Sequence, residues 1–98
     1  MIASFGDQAT ADLYHGVRTR RARAFPSDVR PVALRKLDMV NAANLLGDLR
    51  SPPGNRLEAL RGRFKGFHSI RVNDQWRVIF RWAEGQAHDV QLLDYHRG

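Results

Sequence analysis

Between Arg56 and His96 the chain carries four segments of strand length, and little else in it constrains the fold as strongly. They are Arg56 to Gly62, Phe67 to Val72, Trp76 to Trp82 and Val90 to His96, each rich in β-branched, aromatic or aliphatic residues and set off from the next by Gly, Asn or Asp. Such a run predicts an antiparallel sheet. Strict alternation in the third segment puts Trp76, Val78, Phe80 and Trp82 on one face and Arg77, Ile79 and Arg81 on the other. The first set is a core face, and the second presents two guanidinium groups suited to a polyanion.

The half before the sheet reads as helical. Met1 to Phe5 is a short opening strand anchored by Ile2 and Phe5. Asp7 is placed to cap a helix over Gln8 to His15 that Gly16 ends, with Ala9, Leu13 and Val17 forming one narrow packing face. Ser27 or Asp28 caps a second helix with Pro31 in its first turn, running to about Asn44. Its stripe of Val29, Val32, Ala33, Leu37 and Val40 lies opposite Arg30, Arg35 and Asp38. Leu45 to Leu49 reads as a terminal turn that packs its leucines, and Ser51 to Asn55, with two prolines and a glycine, as an ordered turn into the sheet. The expectation is a single α+β domain over residues 1–98, with two N-terminal helices packed on a mainly antiparallel sheet of about four strands.

Between the two helices lies Arg18-Thr19-Arg20-Arg21-Ala22-Arg23, four arginines in six residues. Like charges this dense resist compaction, so an extended or mobile loop is expected there. Arg18, Arg20, Arg21 and Arg23 then either contact phosphate or an acidic partner, or form a solvated connector. The whole chain leans the same way: 16 Lys and Arg against 10 Asp and Glu give a formal charge of +6. A polyanionic partner, nucleic acid before membrane, is the first inference. Without cysteine there is neither a disulfide framework nor a thiolate metal site. No secretory signal or membrane-length apolar run is present, which makes the cytoplasm the expected location. The chain has no phosphate-cradling glycine loop, no HExxH and no serine elbow, and no metal or cofactor is expected.

The order strand, helix, helix, followed by Leu57 to Gly62, Ser69 to Val72, Gln75 to Phe80 and a terminal Asp94-Tyr95-His96, resembles the HigB-type toxins of the RelE/ParE superfamily, a RelE-like fold. The resemblance spans nearly the whole chain and is most specific from Asn55 to His96. It implies the toxin of a type II toxin-antitoxin system that cuts messenger RNA on the translating ribosome without a metal. It also implies a HigA-type helix-turn-helix antitoxin that holds the toxin inactive, the two together repressing their own operon, so that operator DNA is contacted through the antitoxin.

RNA cleavage through the ribose 2′-hydroxyl needs a proton acceptor, a proton donor for the leaving 5′ oxygen and cations around the phosphate. Carried over by the resemblance, Arg77 and Arg61 supply the cations; Arg81, on the same strand face as Arg77 by alternation, is a further substrate contact. Arg61 stands where lysine is frequent, and its guanidinium keeps the charge without serving as acid or base. His96 is the proton-transfer group, because a histidine exchanges protons near neutral pH. Asp94, two residues earlier, would share a strand face with His96 and orient it. Tyr95 would point the other way, to stack on a base or act from a bent terminus. Glu58 departs from relatives that have histidine at its place. It can accept a proton, or it can form an ion pair with Arg56, Arg61 or Arg77. Two rival readings stand beside this one: a ParE-like gyrase poison, which shares the fold but lacks the ribonuclease residues, so that Arg61, Arg77, Asp94 and His96 argue against it, and a non-catalytic basic module that binds nucleic acid or an acidic protein through Arg18 to Arg23.

Overall fold

In a computed structural model, described here for residues 1–95, three helices pack on one face of a four-stranded antiparallel sheet. Helix α1 spans Gln8–His15, with the expected boundaries. The Asp7 side chain accepts from the Thr10 backbone N–H at 2.8 Å, satisfying one of the donors a helix start leaves open. Gly16 ends the helix at φ 72°, a conformation that strains any residue with a Cβ. That turn carries Val17 off the helix face. Instead of completing the Ala9–Leu13 stripe, Val17 is 49% exposed.

The arginine-rich segment departs from expectation, because it is helical. Helix α2 spans Arg20–Arg23, capped by Thr19, whose hydroxyl accepts from the Ala22 N–H at 3.2 Å. Asp12 on α1 explains how so dense a charge folds. It receives Thr19 Oγ1 at 2.8 Å and pairs with Arg21 Nε at 3.1 Å. Ala22 faces inward and is buried, so the arginines are spread around a turn rather than stacked along a strand.

Helix α3, Val29–Ala42, buries Val29, Ala33, Leu37 and Val40 as its stripe requires. A 3₁₀ turn over Leu46–Arg50 buries Leu49 but leaves Leu45 69% exposed, so the leucines there do not all pack. A second turn, Pro53–Asn55, follows a cis Ser51-Pro52 bond. Asn55 is fully buried and ties the region together: its Nδ2 donates to the carbonyls of Leu49 and Ser51 at 3.2 and 3.3 Å, and its Oδ1 accepts from Lys36 Nζ at 2.5 Å.

The strands are β1 Glu58–Ala59, β2 His68–Arg71, β3 Trp76–Ala83 and β4 Gln86–Asp94, in that spatial order. The first is much shorter than the Arg56 to Gly62 segment suggested. Arg56 turns the chain at φ 46° and a 3₁₀ turn over Gly62–Phe64 ends the extended path, so Arg61 projects from a turn and is exposed. Glu84 and Gly85, both at positive φ, join β3 to β4 as a two-residue hairpin turn. The opening segment runs parallel to β4, with Ala3 N–H on the Ala87 carbonyl at 2.7 Å and Gly6 N–H on Val90 at 2.9 Å.

Val78, Phe80, Ile70, Val90 and Leu92 face the helices and form the main core with Leu13, Ala33, Leu37 and Val40. The opposite face is not simply wet. Leu60, Phe67 and Ile79 form a second buried cluster there, with Phe64, Leu93 and Tyr95 against it. The segment from Leu60 to Phe67 folds back over the sheet and covers it, which is why Ile79 and Arg77, on the face opposite the main core, are buried.

Candidate active site

Arg77 sits in β3, paired across the sheet with Arg71 on β2 and Leu93 on β4. Its side chain is 11% exposed, so its charge must be matched by protein groups. Nη1 donates to Ser69 Oγ at 2.9 Å and pairs with Glu58 Oε1 at 2.8 Å. Register makes this possible, since Glu58 lies directly opposite Ser69, and Ser69 opposite Ile79, two residues along from Arg77. Three neighbouring strands therefore fix one guanidinium. Of the two alternatives for Glu58, the structure shows the ion pair, with Arg77 as partner, and leaves the carboxylate 38% exposed.

Aromatic groups close the other side. The Arg77 guanidinium carbon lies 5.7 Å from the Tyr95 ring centre, and Tyr95 meets Phe64 edge-on at 6.3 Å. The Tyr95 backbone is held by its N–H on the Gln75 carbonyl at 2.8 Å. Beyond them opens a depression of about 410 Å³ bordered by Arg61, Arg63, Phe64, Asp94 and Tyr95. The Arg63 guanidinium lies 5.0 Å over the Phe64 ring. Two exposed cations and two aromatic edges thus border the depression, with the anchored Arg77 guanidinium behind the Tyr95 ring. Such a set can neutralise a phosphodiester and take up an unstacked base.

Asp94 borders the depression while its strand position pairs with Trp76 and its carboxylate accepts from Gln75 Nε2 at 2.9 Å. Not every expected site residue joins this set. Arg81 does not act beside Arg77. Four residues apart on a strand is roughly 13 Å, and a register shift between Ile79 and Arg81 intervenes. Arg81 instead pairs with Asp89 at 3.3 Å and lies 4.3 Å over Phe67. Arg18, Arg20, Arg21 and Arg23 belong to α2 and its approach, on the helical side of the sheet, away from Arg77. His96 lies outside the described residues. Sequence reasoning missed Ser69, Arg63 and Phe64. Ser69 was detectable only through register, as the residue facing Glu58, whereas Arg63-Phe64 was a basic-aromatic pair within the stretch already singled out.

A family model described as the RelE-like toxin of the type II toxin-antitoxin system HigB matches residues 3–96. The chain is a HigB-like toxin of the RelE superfamily. It is 42% identical to Toxin HigB-1 of Vibrio cholerae over 97 residues, 99% of either chain. It is 31% identical to Endoribonuclease HigB of Proteus vulgaris over 61 residues, 62% of this chain and 65% of that one. Among solved structures, the YoeB-YefM complex from Staphylococcus aureus superposes with a TM-score of 0.60 at 11% identity, over 98% of both chains. This HigB-like chain therefore has the RelE fold that the resemblance implied, including the antiparallel sheet that the four segments predicted. No helix among the described residues is long and apolar enough to cross a membrane.

Proposed function

We propose that this HigB-like toxin is an endoribonuclease that cuts messenger RNA on the ribosome and is held inactive by a HigA-type helix-turn-helix antitoxin. In this reading the ribose 2′-hydroxyl attacks the adjacent phosphorus. The bond from phosphorus to the 5′ oxygen breaks, leaving a 2′,3′-cyclic phosphate and a 5′-hydroxyl. The 2′ proton leaves to a base, and the departing 5′ oxygen takes one up. Arg77 is the fixed cation on a non-bridging phosphate oxygen, and Arg61 is the exposed one at the rim. Tyr95, with Phe64 behind it, stacks on an unpaired base. His96 is assigned the proton transfer on the strength of the resemblance, with Asp94 as its neighbour in sequence. The reachable Glu58 carboxylate holds Arg77 in place.

The observation that carries the reading is the anchoring of Arg77. A guanidinium buried against Ser69 and Glu58 yet opening toward Tyr95 is preorganised, and fixed charge is what stabilises a developing phosphorane. Primer extension on a message under translation, with wild type beside His96→Gln and Glu58→Gln, tests the assignment. The expected result is discrete cleavage by wild type, loss with His96→Gln on the order of a hundredfold or more, and a smaller effect of Glu58→Gln. Cleavage absent from wild type, with gyrase supercoiling inhibited instead, would show the ParE-like activity and overturn the proposal.

A further inference from the structure

Three arginines lie over three aromatic rings on the covered face of the sheet, and the rings touch in a row. Tyr95 meets Phe64 edge-on at 6.3 Å, and Phe64 meets Phe67 edge-on at 6.1 Å. The guanidinium carbons of Arg77, Arg63 and Arg81 stand 5.7, 5.0 and 4.3 Å from the centres of Tyr95, Phe64 and Phe67, in that order. The first two pairs belong to the depression and its back wall. The third lies beyond it, with Arg81 roughly 13 Å along β3 from Arg77.

The backbone around this third pair is shaped to hold Arg81 over its ring. Gly66 has φ 95°, and a Cβ there would come within 3.2 Å of Arg81 Nη1, so a side chain at this position would press on the guanidinium. Across the sheet β4 carries a bulge: Ile79 pairs with Gln91 and Arg81 with His88, so Asp89 and Val90 oppose the single residue Phe80. Regular alternation from His88 would send the Asp89 side chain to the core face. Instead Asp89 adopts φ 53°, uncommon for a residue with a Cβ, and its carboxylate reaches Arg81 Nε at 3.3 Å. The Asp89 N–H on Ser4 Oγ at 2.9 Å pins the bulge. The charge held in this way is not buried. Arg81 is 50% exposed whereas Phe67 beneath it is 9% exposed, so the guanidinium covers the ring and offers its outer side to solvent.

A planar cation held over a ring suits one class of ligand. Guanidinium planes stack on nucleobases as they do on aromatic side chains, and cations interleaved with rings are how single strands are bound. An acidic peptide would use the charge but not the plane. Against a rise of about 3.4 Å per stacked nucleotide, Arg81 is too far from Arg77 to share its phosphate. We propose that the Arg81–Phe67 stack is a second base subsite, taking an unpaired base outside the two nucleotides that the scissile phosphate joins. The assignment rests on the ribonuclease reading above. Arg81 is then a binding residue that captures substrate and leaves the chemistry to others.

Ribosomes programmed with short synthetic messages test this. The messages carry an abasic residue at each position around the cleaved bond in turn, and single-turnover cleavage gives a half-saturating toxin concentration and a maximal rate. Thermal melts establish that each variant folds. For wild type, removing the base at one position outside the scissile pair should raise the half-saturating concentration about tenfold, within the range of one lost base stack, at unchanged maximal rate. Arg81→Ala should show that loss on the intact message and no further loss at that abasic position. Arg81→Lys, which keeps the charge without the plane, should behave as Arg81→Ala does. Arg77→Ala should lower the maximal rate and still register the missing base. A base penalty equal in wild type and Arg81→Ala, or no penalty at any outer position, would overturn the subsite while the ribonuclease reading stands. Cleavage by Arg81→Lys at the wild-type concentration would make Arg81 a phosphate contact and overturn it too. Wild-type protein that cleaves no message would remove the reading and the subsite together.

Discussion

Arg77 shows what alternation along a strand reveals and what it leaves hidden. The pattern placed it opposite Val78 and Phe80, which is correct, but that face was read as one open to a polyanion, with no second core on it. Folding Leu60 to Phe67 back over the sheet depends on contacts between Phe67, Ile79 and Leu60 that only register brings together. The residue's partners were legible as a choice rather than as a fact: Glu58 was one of two roles, and Ser69 had none. Removing the side chain should therefore have two separable effects. Arg77→Ala should lower cleavage about a hundredfold, corresponding to roughly 3 kcal/mol less transition-state stabilisation. It should also cost roughly 1–2 kcal/mol of folding stability, because Ser69 is deprived of its buried partner while the half-exposed Glu58 can be rehydrated. Single-turnover cleavage and urea unfolding measure the two separately. Full cleavage by a folded Arg77→Ala protein would remove Arg77 from the chemistry.

Among the elements, α1 was legible from its cap and α3 from its buried stripe, both local signals, although Asp28, already helical in its backbone, makes no side-chain cap hydrogen bond; α2 was not legible, because its stability is tertiary. Asp12 reads from sequence as one more helix carboxylate. In the fold it joins two helices, and hydrogen bonds from Gln8 and then Thr19, aided by the charge of Arg21, hold its carboxyl below the usual carboxylate range. A lowered folded value means this stabilisation is present above the ordinary unfolded value of about 3.9 and is lost as pH falls through the lower folded value. Asp12→Asn should therefore melt below wild type at neutral pH, with the gap narrowing below roughly pH 4. A gap that widens on acidification would contradict the carboxylate's role. The Asn55 tie is a second element-scale device. Asn55→Ala strands the Leu49 carbonyl and the Lys36 ammonium, whose pKa burial first, and then Arg35 and Arg71, already push down. The expected cost is about 2–3 kcal/mol, read as a lower urea midpoint at unchanged slope. An unchanged midpoint would mean that water replaces the amide at no cost.

For the whole molecule, the formal charge of +6 pointed to a polyanion, but net charge has no direction. The fold divides it. Arg61, Arg63, Arg71 and Arg77 belong to the end of the sheet that carries the depression, while Arg18, Arg23 and Arg30 surround a trough among the helices. Affinity for a short single-stranded RNA should fall with salt, and the double variant Arg61→Ala, Arg63→Ala should reduce the logarithmic salt slope by about 1.4, or roughly 0.7 for each phosphate that is no longer neutralised. Replacing Arg18 and Arg23 with alanine should leave that slope unchanged. Equal flattening by both pairs would show one continuous RNA surface and not two separate ones.

The pairing of the first residues with the last strand has a consequence for the timing of synthesis. Ala3 and Gly6 donate to carbonyls of Ala87 and Val90, more than eighty positions later, and Tyr95 closes the Arg77 cluster. Translation delivers these partners at opposite ends of its schedule. Residues 8–42, which supply all three helices, leave the ribosome well before β4 and Tyr95 can complete the sheet. A nascent chain is thus unable to assemble the Arg77–Tyr95 cluster while the ribosome making it still holds the last strand, and its helices are available to a partner first.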